Sequence, residues 1–192
     1  VVRAIAEGLG LQCDMGDLGG SAGTWAQLNE SDLAFLRRLL SRQDCDLQRT
    51  GDQLQVRRVA DRDRGSLSLS LYSQLQQVRV IADLADQATA VTASGFDAMA
   101  GSAFTARSTG AAAGPGSGST GAQLLAQIGE RSEHLAPLAC GTEAEARALA
   151  DAAFDQRARR FVRLHGSTEG NAALRVGATV TIDGIGRRFD NS

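Results

Sequence analysis

The sequence predicts an α+β protein, because its hydrophobic pattern changes period several times along the chain. Segments 31–42 and 142–160 repeat apolar residues every three to four positions, as amphipathic helices do. Other segments, of which 66–72 is the clearest, alternate apolar and polar residues as half-buried strands do. The 192 residues are 43% hydrophobic and 22% charged. This composition is typical of a chain that folds around a core.

Composition also narrows the classes of partner. The chain carries 20 basic residues, all arginine, against 22 acids, for a net charge of -2. This balance disfavours general binding to nucleic acid or to an anionic membrane surface, and it favours protein partners. No apolar run approaches the ~18 residues of a membrane span, so we expect no membrane insertion. The absence of lysine is interpreted as genome composition, which lowers the weight of any local arginine enrichment.

Two helices and a hairpin are predicted in the first 60 residues. A short helix over 1–11 ends at two glycines, and the chain opens inside this helical pattern without a methionine, which suggests a fragment. Segment 13–24 is predicted to be a loop. Asn29 or Ser31 caps the next helix, whose stripe of leucines is predicted to face the core. After it, 45–56 alternates around Thr50-Gly51-Asp52, which predicts a hairpin.

The rest of the chain is predicted to be mostly strand. The charged stretch 57–64 is predicted to be a solvated connection, and 66–72 a half-buried antiparallel strand. Thr142 is expected to cap a helix to about residue 160. The glycine-rich segment 110–121 has no large side chain, so it is predicted to be a flexible surface loop. Further strands are predicted at 78–82, 88–96, 161–164, 174–176 and 180–182.

No catalytic or metal-binding motif emerges from the residues alone. His134 and His165 have no acidic or cysteine ligand at a suitable spacing, so both are predicted to be structural or solvated. The three cysteines, at positions 13, 45 and 140, have no CxxC spacing and are predicted to be unpaired, and those at 45 and 140 buried and inert. Ser94 lacks the preceding glycine of a nucleophile elbow. The glycine-rich segment lacks the lysine of a phosphate-binding loop. We therefore predict no cofactor.

Segment 27–56 carries a motif in which a helix opening is followed by a hairpin. It resembles the phage late control D protein family, gp27-like tail hubs that are related to the hub portion of type VI secretion spike proteins. In that family, Q-x-N-E-S-D-x-x-F-L-x-R-L opens a helix, and a G-D-x-L-x-V turn and strand follow. The positions matched here are Gln27, Asn29, Glu30, Ser31, Asp32, Phe35, Leu36, Arg38, Leu39, Gly51, Asp52, Leu54 and Val56.

Two later segments extend the resemblance over nearly the full chain. Residues 91–97 (VTASGFD) are similar to the family's V-x-G-W-D strand, with departures at Ala93, Ser94 and Phe96. Residues 170–192 resemble the closing hairpin, which places Gly177 and Gly184 at family glycine positions. Asn191 stands where the family has a turn glycine.

The resemblance implies an antiparallel β-barrel decorated by short helices, as a fragment of a two-barrel protein. Residues 1–60 would be a helix-helix-hairpin region that links to the first barrel, and 61–192 a second barrel that lacks its last strands. Family members trimerise into a ring that adapts a hexameric tail tube to a threefold spike. The chain would therefore be a homotrimeric baseplate hub of a contractile phage tail or injection system, synthesised in the bacterial cytoplasm.

The resemblance implies no catalytic residue, so the chain is predicted not to be an enzyme. The alternative is a tail-associated peptidoglycan hydrolase or another enzyme, which would need two convergent carboxylates or a metal site. A secreted effector or adhesin is a third class. It would carry paired cysteines or a repeat pattern, and the sequence shows neither.

Overall fold

The computed structural model describes residues 1–16, 18, 24–110, 118–136, 140–187 and 189. Helices and strands within these residues are α1 (Val2–Gly8), β1 (Gln12–Met15), α2 (Asp32–Ser41), β2 (Cys45–Thr50), β3 (Gln53–Arg58), a 3-10 turn (Val59–Asp61), β4 (Ser66–Ser70), β5 (Leu75–Ala82), β6 (Ala90–Asp97), β7 (Ser102–Ser108), α3 (Gly121–Ile128), β8 (Ser132–His134), α4 (Glu143–Ala158), β9 (Val162–Thr168) and β10 (Thr179–Asp183). This is a mixed α+β fold with several small sheets.

The first part of the chain forms a three-stranded sheet with the order β1-β3-β2. The predicted hairpin is confirmed as β2 and β3, and the predicted helices as α1 and α2. A small core joins Ala6, Leu36 and Leu54, which are all buried. Strand β1 lies in the predicted loop 13–24. It pairs in parallel with β3 over Gln12–Met15, a contact with residues 41 positions away that local patterns do not encode.

A larger core lies between α4 and the sheet β7-β6-β8. The predicted helix over about 142–160 is confirmed as α4, and Thr142 Oγ1 accepts a hydrogen bond from the amide of Glu145 at 3.2 Å. Small side chains let the helix approach the strands closely. The buried residues of this core are Ala88, Val91, Ala93, Ala106, Cys140, Ala146, Leu149, Ala150 and Phe154.

Two further sheets have two strands each. Strand β5 pairs with β9 in antiparallel fashion, and β4 pairs with β10 in parallel fashion. The prediction that 66–72 forms an antiparallel strand was therefore wrong in direction, because alternation shows which face is buried and not which way the partner runs. Residues 174–176 form turns rather than a strand, and the amide of Ala178 donates to the carbonyl of Arg175 at 3.0 Å.

The described residues contain no closed barrel. Their strands fall into separate sheets of two or three strands, and every sheet keeps unpaired outer edges among these residues. The α+β class is thus confirmed at a coarse level, whereas the predicted antiparallel barrel is not formed by this part of the chain. Closure would require each edge strand to find a further partner strand.

The predicted flexible loop 110–121 lies partly outside the described residues, since 111–117 are not among them. Its last residue, Gly121, begins α3, which the sequence analysis missed. Thr120 caps this helix through a capping box, in which Thr120 and Gln123 exchange side-chain to backbone hydrogen bonds. The glycine-rich composition concealed this T-x-x-Q signal. At the other end of the chain, residues 188 and 190–192, including Asn191, also lie outside the described part.

Candidate functional site

The motif residues at 30–38 build the entrance of helix α2. Ser31 is the N-cap, and its Oγ accepts a hydrogen bond from the amide of Ala34 at 3.3 Å. Asp32 lies in the first turn, where the helix dipole favours a negative charge. Arg38 reaches back from the far end of the helix, so that its Nε donates to Glu30 Oε1 at 3.2 Å and its Nη2 to the carbonyl of Ala26 at 3.0 Å.

This contact shifts the titration of both partners. The hydrogen bond and the charge of Arg38 lower the pKa of the Glu30 carboxyl below its ordinary value. The same pair raises the pKa of Arg38. Glu30 therefore stays ionised over a wider pH range than an isolated glutamate and fixes the segment before the helix.

Gln27 and Asn29 shape the same segment. The side-chain amide of Gln27 donates to the carbonyl of Glu30 and to Asp32 Oδ1, both at 2.9 Å. Asn29 adopts φ 50, a left-handed conformation that asparagine tolerates better than most residues. The sequence order Q-x-N-E-S-D thus describes one local structure, a braced helix start.

The remaining motif residues serve packing and turns. Phe35 and Leu36 are buried on the inner face of α2, and Leu54 of β3 lies in the same core as Leu36. Gly51 has φ +58 in the turn between β2 and β3. Gly177 and Gly184, with φ +93 and +79, lie in the turns on either side of β10, a conformation that favours glycine.

Polar contacts connect the first part of the chain with α4 and with the segment that follows β3. Arg159 of α4's C-terminal end pairs with Asp44, with Nη1 to Oδ2 at 2.7 Å. Gln156 donates to the carbonyl of Ser41 at 2.6 Å. Arg64 Nη2 lies 2.8 Å from Asp46 Oδ2 with only 13% of its side chain exposed, which corrects the prediction of a fully solvated 57–64 connection.

A cavity of about 430 Å³ lies between α2 and α4. Arg42 stacks over the ring of Trp25 at 4.9 Å from its centroid. Glu145, which lines the opposite side, is engaged as an acceptor of the Gly141 amide at 3.0 Å. The polar groups here are used in contacts within the chain, so this arrangement joins two helices and offers no pair of free carboxylates.

Among the residues that the structure describes, the other chemically reactive side chains do not form a complete catalytic triad or a metal site. Ser94 Oγ lies 3.2 Å from His134 Nε2, and Thr92 Oγ1 lies 3.0 Å from His134 Nδ1. In the Ser-His-Asp arrangement a carboxylate holds the second histidine nitrogen, whereas here a neutral threonine hydroxyl takes that position. His165 lies apart, on β9. Among the described residues, no group of three or more His, Cys, Asp or Glu side chains could hold a metal ion.

Cys45 and Cys140 are poor nucleophiles. Burial raises the pKa of Cys45 to about 11. Burial, together with the nearby Glu145, also raises the pKa of Cys140, which is buried against Gly95. At neutral pH both thiols are protonated, and a protonated thiol is neither a nucleophile nor a metal ligand.

Large apolar side chains lie on the surface of the chain, with Tyr72 90%, Met99 98% and Val176 83% exposed. None of the helices in the described ranges combines the length and apolarity required to cross a bilayer.

Two solved structures of prophage tail proteins align with the chain. The 43 kDa tail protein of prophage MuSo2 from Shewanella oneidensis aligns with a TM-score of 0.56 and 14% identity over 94% of this chain. The prophage tail protein gp18 from Listeria monocytogenes EGD-e aligns with a TM-score of 0.47 and 11% identity over 86% of this chain.

The chain spans about half the length of these two proteins, 52% and 48% respectively. No protein-family model matches the sequence, and no curated protein matches it. At these identities the comparison is one of fold. The chain therefore shares its fold with about half of the MuSo2 tail protein.

Proposed function

We propose that the chain belongs to a structural protein of a phage tail or related contractile injection system. More specifically, we propose a baseplate hub or spike-base component of the late control D class. The observation that carries this proposal is the fold shared with the MuSo2 tail protein over 94% of the chain. The helix-and-hairpin motif at 27–56 adds a second, independent reason, since it resembles late control D proteins in sequence.

The proposed mode of action is assembly rather than chemistry. Three copies would form a ring that joins a hexameric tail tube to a threefold spike, and the protein would end in the virion tail. Open sheet edges among the described residues support this proposal, because unpaired strands need covering by a neighbour. Exposed large apolar side chains such as Met99 and Val176 support it as well, because contacts between subunits bury such residues.

The roles of the motif residues agree with a structural protein. Ser31, Glu30 and Arg38 hold a helix entrance together, and Phe35 and Leu36 pack beneath it. Acid–base chemistry would require a side chain that faces a cleft and whose pKa is shifted to suit proton transfer. The lowered pKa of Glu30 instead comes from its contact with Arg38, which holds the carboxyl in place. The proposal therefore assigns the chain no catalytic step.

The mass of the full-length protein in solution tests this proposal. Light scattering after gel filtration should give three protomers at micromolar concentration. Labelled antibody should locate the protein at the junction of tube and spike in isolated particles. A monomer at the highest attainable concentration, or a location away from the tail, would contradict the proposal.

A further inference from the structure

Tyr72 is an aromatic side chain in a place that suits glycine. It has φ 63 and is 90% exposed, and its amide donates to the carbonyl of Leu75 at 2.9 Å in a tight turn. A bulky residue in the left-handed region is strained, and a ring exposed to water gains no packing energy in return. The turn alone does not explain this residue. Such a strained, exposed tyrosine indicates a role outside the isolated chain.

The tyrosine borders an open groove on the β5–β9 ladder. Arg79 and His165 lie directly opposite each other across the two strands, and both are exposed. The groove also includes Leu71, Gln76, Gln77, Val78, Gly166 and Ser167, and its volume is about 680 Å³. Gly166 lies tightly against the neighbouring strand, because a Cβ there would meet the carbonyl of Gln77 at 2.8 Å. Tyrosine and arginine are the residue types most enriched where protein contacts carry their energy.

This face of the ladder is basic. Arg163 lies two positions from His165 on the same face, since residues two apart in a strand point the same way. Neither Arg79 nor Arg163 forms an ion pair with a residue that the structure describes. Placing arginines close together on one face is unfavourable within the chain, so an acidic partner surface would relieve it.

An acidic and apolar knob lies beyond the other end of β5. It consists of Asp83, Asp86, Ile128 and Glu130, all of which are exposed, with Ile128 at 77%. Arg131 ties its two segments together, because its Nη1 donates to the carbonyl of Ala85 at 2.6 Å. The knob thus offers carboxylates and one large apolar side chain on a fixed surface.

The groove and the knob are well separated. Strand β5 runs from Leu75 beside the groove to Ala82 before the knob, a span of about 24 Å at the usual rise per residue. The knob of one copy therefore cannot bind in the groove of the same copy. Two copies can do so head to tail, and a head-to-tail contact that closes forms a ring.

We propose that the groove at Tyr72 and Arg79 binds the acidic knob of a second copy of this chain. The inference rests on the proposed ring assembly and names its contact surface. Nucleic acid suits the groove less well, because the chain as a whole has a net charge of -2.

The test measures self-association of the full-length protein by sedimentation velocity over a concentration series. Arg79→Glu should weaken association at least about tenfold. Arg37→Glu, at an exposed position of α2, makes the same charge change and should have no effect. Glu130→Arg should weaken association similarly, and the Arg79→Glu, Glu130→Arg double variant should regain most of it. Tyr72→Asn should raise the melting temperature by relieving the turn while weakening association.

The outcomes separate this inference from the proposed function. If the wild type associates and Arg79→Glu behaves like Arg37→Glu, the groove is not the contact and the inference is overturned. If the double variant stays as weak as the single variants, the knob is not its partner surface, and the inference also fails. A wild type that stays monomeric contradicts the ring assembly itself.

Discussion

The β6 sheet and the β5–β9 ladder contain strands of similar length but differ in what covers them. Helix α4 lies on β6 and β7, and Val91, Ala93 and Ala106 are almost fully buried there. The ladder has no such helix among the described residues, and Val162 stays 43% exposed while Val78 and Leu164 are only half-buried. Two-stranded sheets are marginal in water unless something packs on them. The β6 sheet is thus covered within the chain, whereas the β5–β9 ladder is the region that we propose a neighbouring copy covers.

The largest expected effect is in the α4 core. Phe154 is 6% exposed, so Phe154→Ala should lower the free energy of unfolding by about 3–4 kcal/mol through lost burial and a cavity. Phe96→Ala is the matched control, because Phe96 lies on the face of β6 opposite to the one that α4 covers and is 57% exposed. This substitution should lower the free energy of unfolding by less than about 1 kcal/mol. Urea denaturation measures both, and equal losses would contradict the position of the core.

A close backbone approach should give the next largest effect. A Cβ at Gly95 would lie 2.2 Å from the carbonyl oxygen of Cys140, so Gly95→Ala should lower the free energy of unfolding by about 2–3 kcal/mol. Gly170→Ala meets nothing within 4 Å and should be nearly neutral. Thermal denaturation of the two variants measures this difference. A Gly95→Ala protein as stable as the wild type would show that β6 does not approach the backbone at Cys140.

Truncating a half-buried residue of the ladder should lower the stability of the monomeric protein by a smaller amount. Leu164→Ala should lower the free energy of unfolding by about 1 kcal/mol at concentrations where the protein is monomeric, since part of the side chain already faces water. A loss as large as that of Phe154→Ala would mean that the ladder is fully packed without a partner.

The helix entrance provides a smaller, pH-dependent effect. The pKa of Glu30 is lowered in the folded chain, so its contact with Arg38 stabilises above the ordinary glutamate pKa and is lost as pH falls through the lowered value. Glu30→Gln should therefore have a lower melting temperature than the wild type at neutral pH, and the two melting temperatures should converge in acid. A constant difference across this range would exclude the ion pair as the cause.

Local signals in the sequence predicted much of the fold. The sequence predicts Thr142 as a cap, Asn29 or Ser31 as the cap of α2, and Gly51 as part of a turn, because each depends on residues within a few positions. Of the two candidates for α2, the structure has Ser31 as the cap. The parallel pairing of β4 with β10 could not be predicted, since its two strands are 113 positions apart, from Ser66 to Thr179. The same reason hid β1, whose partner strand is β3.

The candidate sites divide in the same way. The motif at 27–38 could be read from the sequence because one helix entrance contains all of it. The groove could not, because Tyr72, Arg79 and His165 meet only when β5 pairs with β9. An exposed tyrosine in a turn carries no signal in the sequence, and its strain appears only in the backbone angle.

Hydrogen exchange at two protein concentrations tests the central claim most directly. In dilute, monomeric protein the amides of β5 and β9 should exchange much faster than those of β6 and α4, because the ladder lacks a cover. At a concentration where the full-length protein has formed the proposed trimer, protection should rise in β5 and β9 and stay unchanged in β6 and α4. Protection of the ladder that is already high in the monomer, or that does not change on assembly, would contradict the claim that a second copy completes it.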